Sequence, residues 1–280
     1  MSRLDVKKTY KLYIGGKFPR SESGRTYAAL AGDGSVLARV AAASRKDLRD
    51  AVRIARGAVA GWSERSGYNR GQILYRIAET LEDRTGTFVE QLTAAGSTPA
   101  AAKSEVEASV DRLVWYAGWA DKFAQIYGNL NPVSGPFFNI SAPEPTGVVG
   151  VIAPEEQALL GLVSRLAPVL VPGNTAVVLA SESVPMPAIT FSEVLDSSDV
   201  PGGVVNLLTG NKEGLIPFLA DHMDVNAIDA GGATPAQLAR VQEGAVHNVK
   251  RVVVPDEIAQ SPYRIAAFTE IKTVWHPKGL

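Results

Sequence analysis

The sequence predicts an α/β fold: a Rossmann-like parallel sheet covered by helices, with a small β hairpin and a separate terminal strand. From residue 148 to residue 254, short β-branched runs alternate with helical patterns, which is typical of a parallel sheet covered on both faces. Residues 268–275 then read as one long strand with no helix to return it to that sheet. The 280 residues are 46% hydrophobic and 20% charged, which is enough apolar material for a buried core.

The N-terminal part begins with strands and continues with helices. The first forty residues alternate apolar and polar positions between glycines, which predicts a strand and a hairpin. Ser44 and Asp47 have the spacing of a capping box, so a helix is expected from there to about Gly61. Apolar residues at helical spacing predict two further helices, over 68–84 and from about Pro99 to Phe123.

The C-terminal half contains the alternating elements. Residues 127–147 are rich in proline and glycine, so we expect a loop and a hairpin there. The predicted strands cover 148–152, 176–179, 204–208, 227–229 and 251–254, and the predicted helices lie near 158–171, 187–195, 213–220 and 235–245. The terminal strand 268–275 needs a partner, either its own domain or a neighbouring subunit, and of these we expect the neighbouring subunit.

Composition excludes several classes of function. The net charge of −1, with both signs scattered along the chain, leaves no basic surface for nucleic acid. No apolar run suits a signal peptide or a membrane span, so we expect a cytoplasmic protein with no membrane partner. An initiating Met1 favours a natural protein over an excised module.

Histidine and cysteine usage gives no catalytic or metal site. The three histidines have no ligand-like spacing, so no metal is expected. The chain contains no cysteine, which excludes disulfides, thiolate metal sites and a cysteine nucleophile. No GxSxG elbow is present, and Ser164 is expected to be an ordinary helix residue.

An ordered set of motifs resembles the aldehyde dehydrogenase superfamily. The motifs that carry this resemblance are GVVGVIAP at 147–154, the segment from LLGLVSRLAP to Leu179, SES at 181–183, PGGVVNLLTG at 201–210, KLYIGGKF, RLVWYAGWADK and the terminal FTEIKTVWHP. The stretch NPVSGPFFNISAPEPTGVVG resembles more particularly the long members whose C-terminal half is a second, inactive module.

The resemblance implies a domain division and a missing domain. Residues 1–121 and 147–257 would form the NAD-binding-like domain, and 122–146 with 262–280 the oligomerisation hairpin and C-terminal strand. The sequence passes from KRVVVPDEIAQSP directly to YRIAAFTEIKTVW. The catalytic domain, with its nucleophilic cysteine, is therefore expected to be absent.

The family's oxyanion-binding asparagine is replaced here by Glu156. A carboxylate repels a developing negative charge, and loss of one oxyanion donor costs about 10²–10³ in rate. We interpret Glu155 and Glu156 as solvated loop carboxylates or as a pair at a helix N-terminus, because the sequence identifies no partner for a general acid or base.

Three residues could retain part of a cofactor site. The lysine that binds the adenosine ribose in the family is replaced by Leu179, while Glu182 matches its other ribose contact. Gly231 and Gly232 match the turn that supports the cofactor pyrophosphate, but the serine of that turn is replaced by Ala233. Glu182 could equally be a surface carboxylate, and the glycines could serve the turn alone. NAD binding is expected to be weakened or absent.

Two hypotheses follow from the resemblance. The first is a pseudoenzyme subunit, not an enzyme on its own, which assembles with a catalytic aldehyde dehydrogenase or with itself through 122–146 and 268–275. The alternative is a vestigial nucleotide-binding protein with weak or no oxidoreductase activity.

Overall fold

The computed structural model describes residues 8–255 and 259–279. The ends of the predicted domains at residues 1–7, 256–257 and 280 lie outside these ranges. In chain order the elements are β1 (Thr9–Tyr10), β2 (Thr26–Leu30), β3 (Val36–Ala41), α1 (Arg45–Ser63), α2 (Gly67–Asp83), α3 (Thr85–Ala94), α4 (Pro99–Ala117), α5 (Phe123–Tyr127), β4 (Asn129–Asn131), β5 (Phe137–Pro145), β6 (Val148–Ile152), α6 (Ala158–Leu170), β7 (Thr175–Leu179), α7 (Met186–Asp196), β8 (Val205–Leu208), α8 (Lys212–Asp221), β9 (Ala227–Asp229), α9 (Pro235–Ala245), β10 (Arg251–Val253), α10 (Pro262–Ala266) and β11 (Thr269–Pro277).

A five-stranded parallel sheet forms the centre, in the order β10-β9-β6-β7-β8. The chain first builds outward from β6 to β8 and then returns to the other side of β6 with β9 and β10. This is the doubly wound arrangement, which opens a crevice at the carboxyl ends of the strands where the direction of winding reverses. The reversal falls between β6 and β9, so the crevice lies beyond Ile152 and Asp229.

Helices bury both faces of this sheet, as the continuous apolar runs of its strands require. In β6, Val148 and Ile152 belong to the core shared with α1 and α8, whereas Val149 and Val151 belong to the core shared with α6 and α4. All five residues of β6 are buried. The predicted α/β class is therefore confirmed.

The N-terminal region follows the prediction in part. Ser44 and Asp47 form the predicted capping box of α1, and β2 pairs antiparallel with β3 as a hairpin. Helix α3 is an addition to the predicted elements. It has no side-chain cap and only two buried residues, Phe88 and Leu92, so its sequence periodicity is weak. The long helix predicted to Phe123 ends instead at Ala117, and α5 follows it.

Besides the central sheet and the N-terminal sheet β1-β3-β2, a third sheet has the order β11-β5-β4. It contains the predicted hairpin and the terminal strand. Strand β11 pairs antiparallel with β5 of its own chain along its whole length, with Val274 opposite Ile140. On the other side of β5, Leu130 lies opposite Ile140. Residues 254–268 connect β10 to β11, and the described part of this connection contains the short helix α10. A connection of this length is too short to hold a further domain. Within the described ranges, no helix is both long and apolar enough to cross a bilayer.

Candidate functional site

Loops after four parallel strands meet in the crevice at the carboxyl edge of the sheet. The loop after β6 carries Glu155, the loop after β7 carries Glu182, α8 begins after β8 with Lys212, and the Gly231–Gly232 turn follows β9. Ligands of doubly wound sheets bind at this edge. The sequence-predicted residues are thus brought to one side of the molecule.

Glu155 lies at the centre of a set of hydrogen-bond donors. Its Oε2 accepts from the Ser181 hydroxyl (2.8 Å), the Ser183 hydroxyl (2.7 Å) and the Ser183 amide (3.0 Å). Its Oε1 accepts from the Glu182 amide (3.2 Å) and from the ammonium of Lys212, with which it forms an ion pair. The interpretation of Glu155 as a solvated carboxylate without a partner is therefore wrong. We name these five donors the Glu155 cradle.

The electrostatics of the Glu155 cradle favour the ionised carboxylate. Burial opposes charge on Glu155, but hydrogen bonds from Lys212 and Ser183 outweigh it and lower the pKa to about 2. The Lys212 side chain is almost fully buried and also donates to the carbonyl of Ala153. A buried ammonium needs an anionic partner, and Glu155 supplies it.

Glu182 is engaged at the start of α8. Its Oε1 accepts from the side-chain amide of Asn211 (3.2 Å), and its Oε2 accepts from the backbone amide of Lys212 (3.1 Å). A carboxylate at a helix N-terminus satisfies an amide that has no partner within the helix. Glu182 therefore has a structural role at the start of α8. Its role as a contact of the adenosine ribose stays a prediction.

The Gly231–Gly232 turn packs too closely for any larger residue. A Cβ atom on Gly231 would lie 1.9 Å from Nη1 of Arg165, and one on Gly232 would lie 2.4 Å from the carbonyl carbon of Ala153. The backbone amides of the turn already have acceptors: Gly231 donates to Oδ1 of Asp229 (3.0 Å), and Gly232 donates to the carbonyl of Ile152 (3.1 Å). The glycines thus serve close packing, and phosphate binding by their amides stays a prediction.

The next two amides of this turn are also engaged. Ala233 donates to the carbonyl of Ala230 (2.9 Å), and Thr234 donates to Oε1 of Gln237 (3.0 Å) in a capping box at the start of α9. A phosphate at this helix N-terminus would have to displace these internal acceptors.

Behind the turn lies a buried ion pair that the sequence analysis did not identify. Arg165 Nη1 lies 3.0 Å from Asp229 Oδ1, and both side chains are nearly inaccessible to solvent. Burial raises the pKa of Asp229, and the charge of Arg165 opposes that rise. A signal was present, because each residue is the charged member of an otherwise apolar element, α6 and β9. Ser164, next to Arg165, lies within α6 as expected and accepts from Nη1 of Arg112 (2.7 Å).

The residues present do not fit a dinucleotide in this arrangement. Leu179, at the position of the family's ribose-binding lysine, is buried in the core beneath the crevice. The carboxylates of Glu155 and Glu182 both accept hydrogen bonds from the chain itself, and the ammonium of Lys212 is paired with Glu155. Glu156, at the position of the oxyanion-binding asparagine, is exposed. No group of three or more metal-ligating side chains occurs among the residues that the structure describes.

The β4-β5-β11 sheet presents a second candidate site. One face of it carries exposed apolar side chains that are adjacent by register, beside charged residues such as Lys272, and we name the apolar set the apolar face: Leu130, Phe138, Ile140 and Val274. The opposite face is polar at its centre, where the side-chain amide of Asn131 donates to Asn139 (2.6 Å) and Ser141 (2.8 Å). Contiguous exposed apolar surface is typical of an interaction site.

The fold and the crevice define an NAD-binding-like α/β domain. The model of the aldehyde dehydrogenase family matches residues 20–256, and the chain belongs to that family. It is 32% identical over 261 residues to the cytosolic 10-formyltetrahydrofolate dehydrogenase of Mus musculus, a match that covers 90% of this chain and 29% of that protein. The predicted family is confirmed, while the more particular likeness to an inactive second module stays a prediction.

Solved structures with the same fold include two bacterial relatives. PnpE from Pseudomonas sp. WBC-3 superposes with a TM-score of 0.82 at 28% identity, covering 88% of this chain and 50% of that one. An aldehyde dehydrogenase from Bacillus cereus, solved as an NAD+ complex, superposes with a TM-score of 0.83 at 25% identity, with the same coverage. The chain thus spans about half the length of these relatives.

Proposed function

We propose that the chain is a non-catalytic aldehyde dehydrogenase homologue that acts as a structural or regulatory subunit, assembling with a catalytic aldehyde dehydrogenase or with a second copy of itself. The observation that carries this proposal is the apolar face of the β4-β5-β11 sheet. Val274 and Ile140 lie side by side on it, and each exposes about half of its surface, 52% and 47%. Burial of such side chains against a partner stabilises each by about 1–2 kcal/mol.

The edge of the same sheet supports assembly. Strand β11 uses one edge to pair with β5, and its other edge has no strand partner within the described residues. Ile271 and Trp275 are also exposed on this strand. An exposed edge that carries β-branched and aromatic residues is a ready template for another chain. The proposal therefore places the partner against β11 and the apolar face.

The absence of catalysis is proposed on three grounds. The chain has no cysteine to act as the nucleophile. Glu156 replaces the oxyanion donor, and the connection between β10 and β11 leaves no room for a catalytic domain. Any one of these changes would reduce aldehyde oxidation by orders of magnitude.

The alternative, a vestigial nucleotide-binding protein, rests on Glu182, Gly231 and Gly232. Each of these residues has internal hydrogen-bond partners that a nucleotide would need to replace. Thermal unfolding with NAD, NADP and adenine nucleotides tests this alternative directly. A stabilisation at millimolar ligand would favour this alternative, and no response would rule against it. The cytoplasmic location stays a prediction.

Coexpression tests the assembly proposal. The chain is produced alone and together with a full-length aldehyde dehydrogenase from the same source, and both preparations are analysed by size-exclusion chromatography with light scattering. We expect either a stable complex with the catalytic enzyme or a homo-oligomer, without aldehyde-dependent NAD(P)H formation by the chain alone. A monomer in both preparations would contradict assembly, and turnover by the purified chain would contradict the non-catalytic assignment.

A further inference from the structure

The Glu155 cradle has the composition of an oxyanion-binding site. It directs two serine hydroxyls, two consecutive backbone amides and one ammonium at a single carboxylate. Hydrogen bonds to a charged acceptor are shorter and about twice as strong as neutral ones. Five donors around one anion are more than a carboxylate at a loop position requires, and they match the several acceptor oxygens of a phosphate group.

Two of the donors, Ser181 and Lys212, are held by the scaffold rather than by Glu155. Ser181 lies two residues after the end of β7 and is 1% exposed. Lys212 is the first residue of α8, and its side chain also donates to the carbonyl of Ala153. The positions of these two donors are therefore set by a strand end and a helix start that do not depend on the carboxylate.

Glu155 itself lies in an irregular loop of the crevice and is partly exposed. Its side chain is 39% exposed, compared with 5% for Lys212. It lies in the loop between β6 and α6, two residues before Gln157, which adopts a left-handed conformation with φ 48°. A non-glycine residue in that region costs about 1–2 kcal/mol. The carboxylate is thus the part of the cluster that can leave while the donors stay in place.

We propose that Glu155 closes a phosphate-binding site in this chain by filling it with its own carboxylate. The wild-type protein then excludes phosphate-bearing ligands from the crevice, and a protein that lacks this carboxylate admits inorganic phosphate or the phosphate group of a nucleotide. The proposal concerns ligand exclusion and is independent of whether the chain assembles.

The internal carboxylate has two advantages over a free ligand. It is attached to the loop beside the site, so its binding is intramolecular and does not depend on the concentration of any ligand. It also stays ionised at neutral and mildly acid pH, because its pKa is held at about 2. In that range a free phosphate has to compete with a resident anion.

Thermal unfolding tests the proposal. The unfolding temperature is measured with inorganic phosphate and with AMP, and in each case a chloride solution of the same ionic strength is the reference. The wild type is expected to show no shift with either ligand. Glu155→Ala is expected to unfold about 2–3 °C higher with ligand than without it once the ligand exceeds its Kd about tenfold. A larger shift with AMP than with phosphate would identify a nucleotide as the better source of the phosphate group.

Glu156→Ala is the matched control, because Glu156 is the adjacent, exposed carboxylate. It should behave as the wild type does. The double variant Glu155→Ala/Lys212→Met should lose the response, since the ammonium is removed. If Glu155→Ala does not fold, Glu155→Gln keeps the side-chain length without the charge and must still respond more than the wild type. Equal responses of wild type and Glu155 variants, or no response of a folded Glu155 variant, would overturn the proposal.

Discussion

The guanidinium of Arg165 lies 3.0 Å from the carboxylate of Asp229, behind the Gly231–Gly232 turn and almost entirely out of reach of solvent. The pair joins α6 to the end of β9 and holds the turn amide of Gly231 through Asp229. It fixes the floor of the crevice without contributing an accessible charge to it.

Removal of one member of this pair should destabilise the protein strongly. Arg165→Met leaves Asp229 buried and unpaired, which costs about 3–5 kcal/mol in free energy of unfolding. The double variant Arg165→Met/Asp229→Asn keeps an acceptor for Gly231 and should recover much of that loss. Urea unfolding followed by circular dichroism measures both. A loss below about 1 kcal/mol for Arg165→Met would contradict the account of the pair.

Glu155 should give the protein an acid-dependent stability. Its pKa is about 2 in the folded state and near the ordinary 4.5 when unfolded. The unfolded state therefore takes up the proton first as pH falls, so the contribution is complete above about pH 4.5 and is lost between pH 4.5 and pH 2. Since the side chain is partly solvated, we expect a contribution of about 1–2 kcal/mol.

The comparison of wild type with Glu155→Gln measures that contribution. The difference in their free energies of unfolding should shrink as the pH falls from 5 toward 3, whereas Glu156→Gln should differ from wild type by a small and nearly constant amount. A difference for Glu155→Gln that is the same at neutral and acid pH would contradict the structural role of the ion pair with Lys212.

Gly232 should not tolerate a side chain. A Cβ atom there would lie 2.4 Å from the carbonyl carbon of Ala153, which is backbone and cannot move cheaply. We expect Gly232→Ala to cost about 1–3 kcal/mol. Gly57→Ala is the control, because Gly57 lies exposed within α1 with nothing near its Cβ position. It should stabilise the helix by about 0.5–1 kcal/mol, and equal effects of the two substitutions would contradict the packing argument.

The fold was largely predictable because its strongest elements carry local patterns. The run of β-branched residues predicted β6 at its observed bounds, Val148–Ile152, and the helix predicted near 235–245 matches the bounds of α9. Helix α10 was not predicted, since it has only five residues and one of them buried. Short elements of this kind depend on the surface that they cover rather than on their own sequence.

The candidate site was predictable only in its location. Glu155 and Lys212 lie 57 positions apart, and nothing in either segment identifies the other as its partner. The sequence therefore suggested a solvated carboxylate where the structure has a buried ammonium and four further donors. Contacts between loops at the edge of a parallel sheet arise from strand order, which single-sequence patterns do not encode.

Light scattering tests the proposed assembly most directly. It measures the mass of the purified chain in solution for wild type, Val274→Lys and Val246→Lys. Val274 lies on the apolar face, whereas Val246 is equally apolar, 75% exposed and located after α9, away from that sheet. We predict that wild type and Val246→Lys form the same homo-oligomer, or the same complex with the catalytic partner. Val274→Lys should weaken it at least tenfold, because a lysine would be buried there without a counter-charge. A wild type that remains monomeric alone and with the partner, or an assembly that Val274→Lys leaves intact, would contradict the proposal.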